Sequence, residues 1–379
     1  MRLPRPSLAQ AIALWCIAAT LLVVTVVVPA VAGFDVPRPS TPGAAETTTG
    51  RVTEVIERTS TQTSRGTIEQ ERLAAEVAGK TVTVSRTRST EDIGTLRVEP
   101  GDQVLVARVP GPEGDAYLIV DRVRSQALLL LSVAFVAMVL VTGRRHGLTS
   151  LLGLAASLLV IVRFIVPGIL AGHDPAVIAS IGAFVIMGTT LYLAHGVSVK
   201  TTVALTGTGV ALIATVALAA LAIRIARISG IASEDVATLQ VLAAGQVDAA
   251  GVLLGGFVIG TLGVLDDITV AQSSAVFELR RANASLGAVE LYRRAMNVGR
   301  DHISATVNTL VLAYAGASLP LIMLLVVQGE ALAVQLNREY LATEVIRSLV
   351  GGMGLIAAVP FTTAIAALVA PRTMRPPTT

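Results

Sequence analysis

Cysteine is almost missing from this 379-residue chain: Cys16 is its only one. That excludes an intrachain disulfide framework and a CxxC metal site. Histidine is scarce as well. His146, His173, His195 and His302 stand far apart, without HExxH or HxxxH spacing. They suggest no metal centre, and the sequence leaves the identity of any bound metal unknown. Lysine occurs twice, at Lys80 and Lys200, among 29 basic residues. Aromatics make up 3%. No basic patch alternates with rings, so nucleic acid is excluded as a partner. The same scarcity leaves little material for interfacial belts and makes span edges hard to place.

What is present is apolar. Hydrophobic residues reach 53% and the mean hydropathy is +0.72. The apolar residues come in blocks about 20 long, which predicts a polytopic α-helical membrane protein with lipid as its first partner. The first block, Leu8 to Val31, follows Arg2 and Arg5. Two readings stay open: a signal peptide cleaved after Ala30-Val31-Ala32, or an uncleaved signal anchor. Its length favours the anchor. Seven further blocks run approximately Ala127–Val141, Leu148–Ala171, Ala176–Ala194, Thr201–Ile225, Val252–Gln272, Ile303–Val327 and Ser348–Ala370. Eight spans put both termini on one side.

Between the first two blocks the chain turns polar. Pro37, Pro39 and Pro42 mark a linker. Alternating runs at Arg51–Glu57, Thr81–Arg86, Gln103–Val109 and Tyr117–Val123 predict strands of a small β-domain. Turn signals at Pro100-Gly101-Asp102 and Pro110-Gly111-Pro112 separate them. Thr67–Gly79 reads as helix. The expected organisation is an anchor over 1–33, a β-rich domain over 34–124, a seven-helix membrane domain over 125–371 and a tail over 372–379. Arg2, Arg5, Arg144, Arg145, Lys200, Arg280, Arg281, Arg293, Arg294, Arg300, Arg372 and Arg375 fall on one side. Only Arg224, Arg227, Arg338 and Arg347 fall on the other. The basic side is expected to be cytoplasmic. The β-domain is then extracytoplasmic, in a bacterial inner membrane.

Candidate chemistry concentrates between Gly251 and Val327. Asp266 and Asp267 lie inside a membrane-length apolar run, where acids are expensive and usually functional. Gly256, Gly260, Gly263 and Asp267 share one helical face. That stripe predicts close packing on a neighbouring helix, with Asp267 pointing at it. Asp266 sits about 100° away. In the next span Asp301, Ser304 and Asn308 form a polar stripe, with Thr309 beside it, and the two stripes are expected to meet. Lys200, Arg300, Asp301 and Arg163 are the candidate charge partners. A structural ion pair from one of these cations is the competing reading of Asp267. Asp301 as a helix cap and Asn308 as a helix–helix link are the plain readings of the second stripe. Pro167, Pro320 and Pro360 are candidate kinks. The amphipathic stretch Phe277–Arg294 reads as a surface helix or an inner-leaflet contact. The run from Gly196 to Lys200-Thr201 mimics a phosphate loop, but Ala194 and Val199 hold the glycine positions. No nucleotide or other cofactor is expected.

Three stretches carry a resemblance. They are Gly196–Thr201 (GVSVKT) with Gly207-Thr208, Gly263–Ala275 (GVLDDITVAQSSA), and Asn297–Asp301 (NVGRD) continued by Asn308–Pro320 (NTLVLAYAGASLP). Over roughly residues 125–370 the chain resembles the YibE/F-like membrane proteins. The resemblance implies the multispanning architecture and, by the usual assumption for that family, transport. It also implies pairing with a second copy or a second membrane subunit. The family pattern places one acid at the Asp267 position, so Asp266 and Gln272 make this site more polar than the pattern. The sequence therefore predicts a non-enzymatic transporter or exporter of a small solute or ion. The alternative is a non-transporting scaffold or envelope sensor whose β-domain binds a partner. An intramembrane enzyme finds no nucleophile–base or metal pattern to rest on.

Overall fold

The computed structural model describes residues 8–34, 46–63, 66–89, 98–110, 115–232, 234–243 and 245–374. The expected linker prolines, Arg2, Arg5, Arg375 and the Gly111-Pro112 turn lie outside them. Two compact units emerge: Arg38–Val141, and Met1–Pro37 with Thr142–Thr379.

The first unit holds a closed five-stranded barrel. Its strands are β1 (Glu46–Thr63), β2 (Gly66–Val77), β3 (Lys80–Ser89), β4 (Gln103–Val109) and β5 (Ala116–Arg122). They close in the order β1-β2-β3-β5-β4, with β3 and β5 parallel and the other pairs antiparallel. This is the strand order of an OB-type barrel. The expected helix over Thr67–Gly79 is instead β2 and its turn. Glu- and Ala-rich composition favours helix, but Leu73, Ala75 and Val77 alternate inward with Val52, Val84, Val104 and Val106. Two-sided pairing with β1 and β3 overrides local propensity. Ala78 and Gly79, both at positive φ (51° and 77°), make the two-residue hairpin turn to β3.

The barrel interior also contains a charge. Glu71 is 1% exposed, and Arg58 Nε lies 3.0 Å from its Oε1, close enough for an ion pair but not aligned as a hydrogen bond. At the surface, the Arg124 side chain and the Arg122 backbone N–H both donate to Asp121. Together they hold its carboxyl at about 2, below its ordinary 3.8.

The remaining elements are helices. α1 (Leu8–Leu22) passes through a π-helical turn, Val23–Val27, into α2 (Val28–Val31). α3 (Ser125–Val160) passes through a second, Ile161–Ile165, into α4 (Val166–Leu170). Pro29 and Pro167 follow these turns. Each lacks an N–H, and the wider π turn accommodates the loss. α5 (Pro175–His195) starts from Asp174, whose side chain accepts from Val177 N, with Pro175 at its first position. α6 (Val199–Ala226) is capped by Ser198 and α8 (Ala249–Ala282) by Asp248, with α7 (Glu234–Leu242) between them. α9 (Ala288–Ala317) bends by 63° into α10 (Leu319–Gln328), where Pro320 sits in the first turn. α11 (Leu332–Gln335) is one turn, and α12 (Glu339–Thr373) runs straight through Pro360.

Five of these helices are long and apolar enough to cross a membrane, six if the bent α9–α10 pair counts as one. Eight spans were expected. Two of the expected blocks, Ala127–Val141 and Leu148–Ala171, share the 46-residue stretch Ser125–Leu170. It is broken at Arg144, whose φ and ψ are 49° and −119°. The first block forms a shorter apolar helix over Trp15–Val31.

α6, α8 and α12 pack on one another, with α5 against α8 and α9 against α12. Threonines sit in glycine notches where α6 meets α12. A Cβ on Gly207 would stand 2.3 Å from Thr362 Oγ1, and one on Gly354 would stand 2.2 Å from Thr215 Oγ1. Only glycine permits so close an approach there. The two contacts run in opposite chain directions, so the helices are antiparallel.

Candidate functional site

α8 faces the core with Leu262, Leu265, Ile268 and Val276. That apolar face decides which acid turns inward. Asp266 flanks it and is half-buried, and Asp267 is exposed. This reverses the sequence expectation, in which Asp267 was to face the neighbouring helix. The reason is visible at the glycine stripe. Gly256, Gly260 and Gly263 do share a face with Asp267, but that face is uncovered in the single chain. A Cβ at Gly256 or Gly263 would meet nothing within 4 Å, and one at Gly260 would meet only Tyr314 Oη at 3.8 Å. The stronger apolar stripe takes the core and leaves the small residues outside.

Asp266 is poorly satisfied. Thr190 Oγ1 on α5 lies 3.3 Å from its Oδ2. The same hydroxyl also lies 2.9 Å from Ile186 O and 3.2 Å from Met187 O. A threonine has one proton to donate, so these three acceptors compete for it. Asp266 Oδ1 is buried with no hydrogen-bond partner. No cation among the described residues forms an ion pair with Asp266 or Asp267. A pocket of about 210 Å³ opens here, lined by Ser150, Gly153, Thr190, His195, Asp266 and Asp267. It is polar and has room for several waters.

The expected partners are elsewhere. Lys200 lies in the first turn of α6, and its carbonyl accepts from Ser273 Oγ at 2.9 Å. Arg163 is exposed in the second π turn. Arg300 is exposed and donates to Asn297 Oδ1 at 3.3 Å. Asp301, Ser304, Asn308 and Thr309 are all exposed on α9, and Thr309 Oγ1 donates back to Ala305 O at 3.0 Å. α9 turns Ala295, Gly299 and Leu310 inward, so its polar stripe faces away from Asp266 and the two stripes do not meet. Phe277–Arg294 is the end of α8 and the start of α9 joined by a short turn. Arg280 binds that turn, donating to Ala284 O and, at 2.8 Å, to Leu286 O.

Beside Asp266 a buried polar layer continues along the bundle. The Thr208 and Thr269 hydroxyls lie 2.6 Å apart, and Thr269 Oγ1 donates to Asp266 O at 3.1 Å. Gln272, 1% exposed, donates to Ala295 O at 2.9 Å and Thr363 Oγ1 at 2.7 Å. Sequence reading noted Gln272 but missed these threonines. A signal existed: Thr201, Thr208 and Thr215 recur every seven residues on α6, and all three are buried. Among the described residues no three His, Cys, Asp or Glu side chains converge to hold a metal.

A family model described as YibE/F-like protein matches residues 131–372. The chain belongs to the YibE/F-like family. No curated protein and no solved structure matches it. The matched range takes in Asp266, its pocket and the threonine–glutamine layer. It leaves the barrel strands outside, so the barrel is an addition to the YibE/F-like part of this chain.

Proposed function

We propose that this YibE/F-like chain is a secondary transporter or exporter of a small ion or solute, and not an enzyme. Asp266 is the coupling carboxylate, with Asp267 and His195 at the mouth of its pocket. One observation carries the reading: Asp266 Oδ1 is buried without a hydrogen-bond partner, and Asp266 lines the pocket of about 210 Å³. A purely structural buried carboxylate would be matched by a cation fixed in the fold, as Glu71 is by Arg58. A transported ion, a proton or water answers Asp266 instead.

On this reading the bundle lies in a bacterial inner membrane with both termini cytoplasmic, and residues 34–124 are extracytoplasmic. The basic residues flanking the apolar blocks favour that orientation. Asp267, Asp301 and Asn308 are exposed on membrane-length helices. Polar groups do not stay against lipid tails. A second copy or a second membrane subunit covers that side.

The test is ion flux in proteoliposomes loaded with a pH-sensitive dye. Wild type dissipates an imposed proton gradient faster than empty vesicles, and Asp266→Asn does not. Equal leak in all three preparations, under several trial solutes, removes the proposal.

A second reading keeps the chain as an envelope sensor. It is favoured by the barrel, whose β3 points the hydroxyls of Thr81, Thr83 and Thr87 outward on the strand pair that OB-type barrels use for ligands. It requires that deleting 46–122 abolishes function while Asp266→Asn spares it.

A further inference from the structure

A larger polar cavity lies at the opposite end of α8, and no sequence motif pointed to it. Its volume is about 780 Å³, within the range of small-molecule sites. Gly256 marks it on α8, ten residues before Asp266, or about 15 Å along the helix. Its polar lining comprises Asp235, Ser318, Tyr340, Thr343, Glu344 and Arg347.

Three features build it. The 63° bend between α9 and α10 places Ser318 in its wall. The rim is fixed by Glu339, whose carboxylate accepts from Ser229 N at 2.8 Å, Gly230 N at 2.7 Å and the Ser229 hydroxyl at 2.8 Å. The only cation among the described lining residues is already engaged. Arg347 Nη1 donates to both oxygens of Glu344, at 2.8 and 3.0 Å, and its guanidinium lies 5.2 Å over the Phe257 ring. With Arg347 matched to Glu344, Asp235 remains as an exposed carboxylate without an ion pair among the described residues. The described lining residues therefore carry one net negative charge, with Ser318, Thr343 and Tyr340 offering hydroxyl acceptors and an aromatic ring.

We propose that this cavity binds a small organic monocation, a primary amine or a quaternary ammonium. Asp235 supplies the counter-charge, Tyr340 the ring face a cation prefers, and the Glu344–Arg347–Phe257 stack a rigid wall. Anions meet Asp235 without a free cation to offset it. Neutral solutes gain no charge pairing. The inference does not depend on Asp266 carrying ions.

Isothermal titration calorimetry on the full-length protein in detergent tests it. Choline and ethanolamine are the probes, with ethylene glycol and glycolate as neutral and anionic counterparts. Choline or ethanolamine binds, the counterparts do not, and Asp235→Asn weakens binding at least about tenfold. Tyr340→Leu weakens choline more than ethanolamine. Asp266→Asn leaves both affinities unchanged. Absence of heat with both amines, equal binding of glycolate or ethylene glycol, or unaltered affinity in Asp235→Asn overturns the proposal. So does loss of binding in Asp266→Asn, because the probes would then report the other pocket. A chain that binds choline yet moves no ion keeps this site and loses the transport reading.

Discussion

The barrel and the helical bundle each bury part of a carboxylate, and they treat it differently. In the barrel, Glu71 is sealed from water with the Arg58 guanidinium 3.0 Å away. In the bundle, Asp266 has a share of one threonine hydroxyl, a polar pocket and no cation among the described residues. A buried charge whose counter-charge is supplied by the fold is part of the scaffold. One whose counter-charge is left to come from outside is poised to bind something. On the proposed transport reading, the difference separates architecture from chemistry in this chain.

The contrast can be broken by mutation. Arg58→Leu leaves Glu71 buried and unpaired, and destabilises the barrel by about 3 kcal/mol, the low end for such pairs because Arg58 is partly exposed. The double variant Arg58→Leu/Glu71→Leu recovers most of that loss in thermal unfolding of the full chain. If the single variant is neutral, Glu71 is not held by Arg58 and the comparison fails. Next, Gly207→Val drives a side chain into Thr362 and destabilises the bundle by about 2 kcal/mol, seen as a lower unfolding temperature in detergent. Gln272→Leu costs about 1 kcal/mol by removing hydrogen bonds to Ala295 O and Thr363.

Asp266→Asn is expected to leave the unfolding temperature unchanged or raise it, because the charge it removes is poorly answered. A clear destabilisation would make Asp266 structural, like Glu71. The smallest effect is on Asp121, whose side chain is about half exposed. Its folded value lies below its ordinary one, so its contribution to stability is present above about 3.8 and fades as pH falls toward about 2. Carboxyl-labelled aspartate in the full chain shows Asp121 titrating near 2. Arg124→Ala moves that titration upward.

Much of this was legible in the residues. The apolar blocks located the helices, four of the five strands were marked by alternation, and three motifs pointed to the family. The paired acids share one turn of α8, and periodicity put Asp267 on the contact face although Asp266 is the one turned inward. A glycine stripe and a leucine stripe both look like contact faces, and only the competition between them decides which is buried. The polar stripe of α9 failed for the same reason. The stretch Ser125–Leu170 reads in the sequence as two apolar blocks, and the non-helical backbone at Arg144 falls between them. β2 was misread because its glutamates and alanines favour helix when considered alone, before the pairing partners on both sides are counted. The cavity of about 780 Å³ needed the α9–α10 bend, which Pro320 hinted at without saying what it would enclose.

The most direct test of the account compares the two carboxylates chemically. Full-length protein in detergent is treated with dicyclohexylcarbodiimide, an apolar reagent that modifies protonated carboxyls shielded from water, and digested for mass spectrometry. The account predicts modification at Asp266, abolished in Asp266→Asn, and none at Glu71. Modification of Glu71 with Asp266 untouched would contradict it.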